Sequence, residues 1–322
     1  MKKVFVLGGT GFLGYYTTRE LLNRGYAVST VSLPPMPADN LLPQEVECQL
    51  GDITAMSDHE VLDLLKGCYA FVYAAGVDER VVPDAPALKF FYEANVLPTQ
   101  RLARLAKQAG VEKFVLFGSY FAHFTEAWTD LNLKKENAYP RTRLLQEEVA
   151  FMEGEGQMDV MSLRLPYIFG LMPGRKPLWS VFVEQVRNQA FVPVLSGGTA
   201  MVTVQQVAEA AVGAIEFGTH RSSYAICSMN MKFKEFYQII ADVLEQKDTE
   251  IAILPLEQMK PAMEQADAHS TAAGKEHGIH LGYTAMIQDR DAYLNPEDTM
   301  PVLKFKDADI PAAIRETIKA CI

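Results

Sequence analysis

At 322 residues, 49% apolar and 22% charged, the chain can bury a sizeable core as one large α/β unit or as two lobes. Lys+Arg 30 against Asp+Glu 40 gives a net charge of -10, which disfavours nucleic acid and anionic membrane as partners. No stretch is apolar for long enough to span a bilayer, and the opening run Val4–Leu7 is too short for a signal peptide.

Short apolar runs alternate with helical patterns through the first half. Val4–Leu7 reads as a strand, Phe12–Asn23 as a helix closed by Arg24-Gly25, and Ala27–Ser32 as the next strand. Further strands are expected at Val46–Leu50, Ala70–Ala74, Lys113–Gly118 and Val160–Arg164, with helices at Ser57–Lys66, Ala87–Gln108 and Ala138–Glu153. Strands separated by helices call for right-handed crossovers, so the fold class is α/β, a Rossmann-type doubly wound parallel sheet. The second half is more broken, with Pro166, Pro173 and Pro177 interrupting the chain. Helices are expected at Leu178–Asn188, Gln205–Phe217, Phe233–Glu245 and Ile310–Cys321, and strands near Val202–Val204 and Ser223–Cys227. Met259–Gly282, rich in Ala, His and Gly, reads as a loop and a candidate mobile segment. A dinucleotide-binding domain over 1–165 and a smaller C-terminal substrate lobe over 166–322 are expected, partly interleaved because no flexible linker separates them.

Cys48, Cys68, Cys227 and Cys321 stand far apart and form no paired motif, the usage of a cytoplasmic protein rather than of a disulfide scaffold. His277-Gly278-Ile279-His280 lacks a third ligand at metal-site spacing and reads as an ordinary loop, so no metal is expected.

Gly8-Gly9-Thr10-Gly11-Phe12-Leu13-Gly14 places glycines at three-residue intervals between the first strand and the first helix. Gly8 permits a sharp turn, Gly11 lets backbone approach a pyrophosphate, and Gly14 lets the helix pack closely on the sheet. The helix N-terminus then offers unpaired N–H groups and its positive dipole end to phosphates. A glycine triplet alone is weak; heading a βαβ run, it predicts a bound dinucleotide, NAD or NADP.

With that spacing the chain resembles the extended short-chain dehydrogenase/reductases, the NAD-dependent epimerase/dehydratase family. The resemblance continues at Gly51-Asp52 after the third strand, Ala74-Ala75-Gly76 after the fourth, Asn95-Val96 in the long helix and Leu163–Gly170 after the sixth strand. It implies cofactor contacts at Gly8, Thr10, Gly11, Phe12, Leu13, Gly14, Ser32, Asp52, Ile53, Ala74, Ala75, Gly76, Asn95, Tyr139, Arg143 and Pro166. It also implies a catalytic Ser or Thr, a Tyr that moves a proton while hydride moves at the nicotinamide, and a Lys that lowers the phenol pKa. Ser119 and Tyr139 fall at the first two positions, and Arg143 replaces Lys four residues after the Tyr, on the same helical face. Arg keeps the charge but has a planar, bulkier head and cannot shuttle a proton. The plain structural alternative makes Tyr139 a helix-start aromatic and Arg143 an ion-pairing partner of Glu147. Asn95 either serves the cofactor or satisfies backbone freed by Pro98.

Ser32 stands where NAD-specific members carry an acid, and no Lys or Arg lies between Gly25 and Lys66 to meet a 2′-phosphate, so NAD and NADP both stay open. Tyr120-Phe121 occupy the place of the Asp-Glu pair of sugar-nucleotide dehydratases, which disfavours that subclass. His123, Tyr167 and Arg175 are candidate substrate contacts, Arg175 either meeting an anion bidentately or standing solvated in its loop. The reading is an NAD(P)-dependent oxidoreductase or epimerase acting on a secondary alcohol or carbonyl of a nucleotide sugar or smaller compound. Its rival is a non-catalytic dinucleotide-binding sensor in which Arg143 marks lost chemistry. The resemblance further implies a homodimer through Ala87–Gln108 and Ala138–Glu153.

Overall fold

The computed structural model describes residues 1–322. Seven parallel strands form the main sheet. They include β1 (Lys3–Leu7), β2 (Ala27–Ser32), β3 (Glu47–Leu50), β4 (Cys68–Tyr73), β5 (Lys113–Ser119) and β6 (Asp159–Leu165). Their spatial order is β3-β2-β1-β4-β5-β6, closed by Ser222–Ala225 beside β6. The order reverses between β1 and β4, and that switch opens a crevice at the carboxyl ends of the strands. Near-continuous apolar strands such as Val4–Leu7 and Phe71–Tyr73 are buried because helices cover both faces.

Helix α1 (Phe12–Asn23) and the helix Val204–Phe217 cover one face, meeting Val4, Val6 and Val72 in a single apolar cluster. Helices α2 (Asp58–Leu65) and α4 (Leu97–Gln108), with the helix Ala138–Gly154, lie on the other, while α3 (Ala87–Phe91) packs with Tyr120 and Tyr139 in a separate cluster. Strand Ser222–Ala225 and helix Val204–Phe217 come from the second half of the chain yet complete the first sheet. Thr203 caps that helix: its hydroxyl accepts from Gln206 N at 3.2 Å while Gln206 Oε1 accepts from Thr203 N at 2.9 Å. A smaller sheet of Tyr167–Phe169, Gly198–Thr203, Met229–Lys232 and Asp291–Ala292 carries the rest.

Two expectations are corrected. The run Ala87–Gln108 is not one α-helix: Tyr92–Val96 forms a π-helical turn between α3 and α4. Pro98 has no N–H for the preceding turn and its ring crowds the carbonyl there, so the ladder widens just before it. Met259–Gly282 is not a loop: helices span Leu256–Ala272 and Leu281–Gln288, joined by a short connection. The first buries no residue, so it shows no apolar stripe, while its Ala-rich composition favours helix intrinsically.

Candidate active site

The crevice is built first by the glycine turn. Gly8 sits at φ 87°, and a Cβ there would lie 2.7 Å from Ala74 O. A Cβ on Gly14 would lie 2.1 Å from Gly8 O, so only glycine lets α1 start this close to the strand. Gly11 caps α1 with no side-chain hydrogen bond, and the amides of Phe12, Leu13 and Gly14 meet no acceptor. Three free N–H groups at a helix start over bare backbone fit a pyrophosphate. Thr10 N donates instead to Ser32 Oγ at 3.1 Å, and Gly9 N to Thr30 Oγ1 at 2.9 Å. The Ser32 hydroxyl is thereby turned into the fold, 4% exposed.

Asp52 accepts from Thr54 N and Oγ1 at 2.9 and 2.7 Å, which closes the turn after β3 over the buried Ile53. Ala74 continues β4, its N–H donating to Leu7 O, and Ala75 and Gly76 lead out of the strand. Asn95 is fully buried in the π-helical turn and grips Val77 twice: Oδ1 accepts from Val77 N at 2.8 Å and Nδ2 donates to Val77 O at 2.9 Å. It thus anchors the segment leaving β4 rather than backbone freed by Pro98. Pro166 separates β6 from Tyr167–Phe169.

Ser119 ends β5 and caps α5 (Tyr120–Ala127), a helix the sequence analysis did not anticipate. Tyr139 is 3% exposed, with the rings of Phe91 and Phe121 edge-on to it and the Arg143 guanidinium 5.7 Å from its ring centre. Burial pushes the Tyr139 phenol above its ordinary pKa; the Arg143 charge and the Ser119 hydroxyl oppose that rise, and Glu79 adds to it. Arg143, itself buried, donates Nη2–H to Phe117 O at 2.6 Å, and its Nε–H has no partner. The ion pair with Glu147 that the plain structural alternative calls for is absent. Glu147 instead pairs with Arg164 at 2.7 Å and accepts from Ser162 and Ser223, a buried network behind the site. An orphaned guanidinium N–H beside a buried phenol fits a polar group of a bound ligand between them.

His280 N donates to Asn137 Oδ1 at 2.9 Å, and Gly278 O accepts from Tyr139 N at 2.8 Å, so the 273–280 connection holds the start of the Tyr139 helix. Asp267 takes both His277 and His280, at 2.7 and 2.9 Å. Tyr167 is half-buried and tilted against Tyr120, at 6.4 Å between ring centres. His123 instead opens into a separate recess of about 550 Å³ beside Tyr224, Tyr293 and Asp298. Arg175 is exposed on a turn where a Cβ on Gly174 would lie 2.0 Å from Pro37 O, beside the loop after β2. Neither His123 nor Arg175 packs on Tyr139.

Asp78, Glu79 and Arg80 were not anticipated from the sequence. They form the turn leaving β4, where Asp78 pairs with Arg80, its Oδ1 accepting from Arg80 N and Nε at 3.0 Å. Three charged residues in a row, in the turn that follows a buried strand at the crevice end of the sheet, are the signal that marks them.

Residues 4–227 match the NAD dependent epimerase/dehydratase family, and the chain belongs to it. It is 29% identical over 210 residues to the human sterol-4-alpha-carboxylate 3-dehydrogenase, decarboxylating, covering 62% of this chain and 53% of that protein. It is 26% identical over 181 residues to a bifunctional UDP-glucose 4-epimerase and UDP-xylose 4-epimerase of Pisum sativum, covering 51% of each. The chain spans about half the length of several curated relatives it matches. Among solved structures, gox2253 superposes with a TM-score of 0.78 at 18% identity, over 99% of this chain and 97% of that one. MoeE5 in complex with UDP-glucose and NAD superposes at 0.67 with 18% identity, over 99% and 98%. These structures share the fold.

Proposed function

We propose that the chain is an NAD-dependent oxidoreductase or epimerase acting on a secondary alcohol or carbonyl of a small molecule. One observation carries the reading: Ser119, Tyr139 and Arg143 converge at the carboxyl ends of β4 and β5, beside a glycine turn with three unpaired amides. When bound, the dinucleotide supplies or accepts the hydride. Tyr139 exchanges a proton with the substrate oxygen, Ser119 donates to that oxygen, and Arg143 supplies the positive charge that opposes the effect of burial on the phenol. In the reductive direction the carbonyl carbon gains hydride and its oxygen gains the Tyr139 proton, leaving an alcohol and a phenolate that solvent reprotonates.

NAD is favoured over NADP because Ser32 is engaged by Thr10 and no cation lies between Gly25 and Lys66. Relatives are named for sterol and UDP-sugar substrates, so a hydroxylated ring compound is the class to screen. A homodimer through α4 and the Tyr139 helix is supported by exposed Leu97 and Met152 on those helices and Tyr92 in the π-helical turn before α4. Cytoplasmic residence is supported by four free thiols, one of them exposed; no helix is long and apolar enough to cross a membrane.

The test combines calorimetry with a screen of secondary alcohols and ketones. Wild type should bind NAD+ or NADH and turn over at least one compound. Tyr139→Phe should lose at least about 100-fold in turnover with cofactor affinity nearly intact. Binding without turnover of any compound would favour the sensor instead.

A further inference from the structure

His277-Gly278-Ile279-His280 lies against the reactive tyrosine, although its sequence reads as an ordinary loop. It belongs to a strap, residues 274–280, that bonds to two elements at once. On one limb Ala85 N donates to Gly274 O at 3.0 Å and Glu276 N donates to Pro83 O at 3.0 Å. There Glu276 Oε2 also accepts from Ala87 N at 2.8 Å, the first amide of α3. On the other limb Gly278 O holds Tyr139 N, and His280 N holds the Asn137 side chain. Phe91 ends α3 and meets the Tyr139 ring edge-on, so the strap joins the helix that carries the phenol to the helix that walls it. The fit is close: a Cβ on Gly278 would lie 2.5 Å from the Phe91 ring and 3.0 Å from Tyr139 Cβ. Ile279 is 6% exposed, in one apolar cluster with Phe91, Tyr120 and Tyr139.

From outside, the strap is gripped by one carboxylate. Asp267 lies on the helix Leu256–Ala272, which buries none of its residues. It is the one side chain of that helix that hydrogen-bonds beyond the helix. Its oxygens take different rings, Oδ1 the Nδ1 of His277 at 2.7 Å and Oδ2 the Nδ1 of His280 at 2.9 Å. A carboxylate only accepts, so both nitrogens point their hydrogens at it and both rings are fixed. The side chains of Asp267 and His277 are 17% and 15% exposed, so water competes little for the bond between them. We propose that Asp267 is a positioning residue for Tyr139: it clamps both ends of the Gly278-Ile279 pair and so fixes where the phenol stands relative to Ser119 and Arg143. The inference rests on Tyr139 as the proton-transfer group. A helix with no apolar face serves here to present one carboxylate. Asp267 touches no reacting atom, but misplacing a reacting group by about 1 Å costs on the order of 100-fold in rate.

The experiment compares wild type with Asp267→Ala and Asp267→Asn. Ala removes both acceptors; Asn keeps one and adds a donor, which the second imidazole meets by moving its hydrogen to Nε2. Hydrogen exchange at the Tyr139 amide should quicken about tenfold or more in Ala and stay near wild type in Asn, with β1 unchanged in both. With a ketone that wild type reduces, kcat should fall about tenfold or more in Ala while NADH affinity holds within about twofold, and Asn should recover most of the loss. Should Asp267→Ala unfold, His280→Ala, which opens one limb only, is read by the same criteria. An unchanged Tyr139 amide, or a quickened one with unchanged kcat, overturns the inference and leaves the enzyme reading standing. So does a loss in Asn equal to that in Ala, which would assign the effect to charge. Wild type that turns over no ketone fails the enzyme reading, and the positioning role falls with it even where the amide quickens.

Discussion

Glu79 leaves a mark on stability. Burial and the neighbouring Asp78 raise its pKa in the folded chain, so between the ordinary carboxyl value and the raised one the folded state holds a proton that the unfolded state has lost. Stability therefore falls as pH rises through that window, and above it the charged carboxylate opposes folding. Glu79→Gln is expected to raise the melting temperature of the cofactor-free protein at pH 8, with the gain vanishing at pH 4. Melting curves at the two pH values check this; a variant less stable than wild type at pH 8 would contradict the assigned environment. Glu147 is held differently, its carboxylate buried and paired to Arg164. Arg164→Met leaves that charge with only Ser162 and Ser223, so unfolding in urea should show a loss of about 3–5 kcal/mol.

At the scale of elements, the π-helical turn Tyr92–Val96 does what a regular helix would not. It places Asn95 so that one amide side chain satisfies both polar groups of Val77, and through Val77 it sets the turn bearing Glu79. Asn95→Ala leaves two backbone groups without partners, at about 1–3 kcal/mol each where water cannot replace the bond. Hydrogen exchange at the Val77 amide should quicken strongly while exchange in β1 stays unchanged; an unaltered Val77 rate would deny Asn95 this role. The elements that were legible in the sequence were those whose pattern is local: apolar β1, the glycine turn, α1 and the Arg24-Gly25 stop. Ser119, Tyr139 and Arg143 could be placed because their spacing follows a strand end and one helix face. The helix Leu256–Ala272 could not, since an element that buries nothing carries no apolar period. Neither could the true partner of Glu147: Arg143 lies one turn back on the same helix, but β6 brings Arg164 to it across 17 residues of chain.

The whole molecule leaves one surface unexplained by its own core. Helix α4 and the Tyr139 helix pack together over the sheet, yet Tyr92, Leu97 and Met152 remain 38%, 42% and 61% exposed on their outer side. Scattered apolar side chains are ordinary on a surface, but three on packed neighbouring elements could serve a self-complementary contact about a two-fold axis. Pairing them would bury the outer side of the helix that carries Tyr139 and Arg143, stiffening the reactive centre without contributing a residue to it. The glycine turn opens α1, which covers the opposite face of the sheet from α4, so cofactor binding should not depend on assembly. Sedimentation at micromolar concentration is therefore expected to give twice the mass of the chain, and Leu97→Glu to give the single mass, since a carboxylate placed against its own symmetry mate adds like-charge repulsion to the cost of leaving water. The monomeric variant should retain NAD+ affinity. A wild-type chain that sediments as a monomer sinks the interface, and a Leu97→Glu monomer that no longer binds NAD+ would show instead that the two-fold contact reaches into the site.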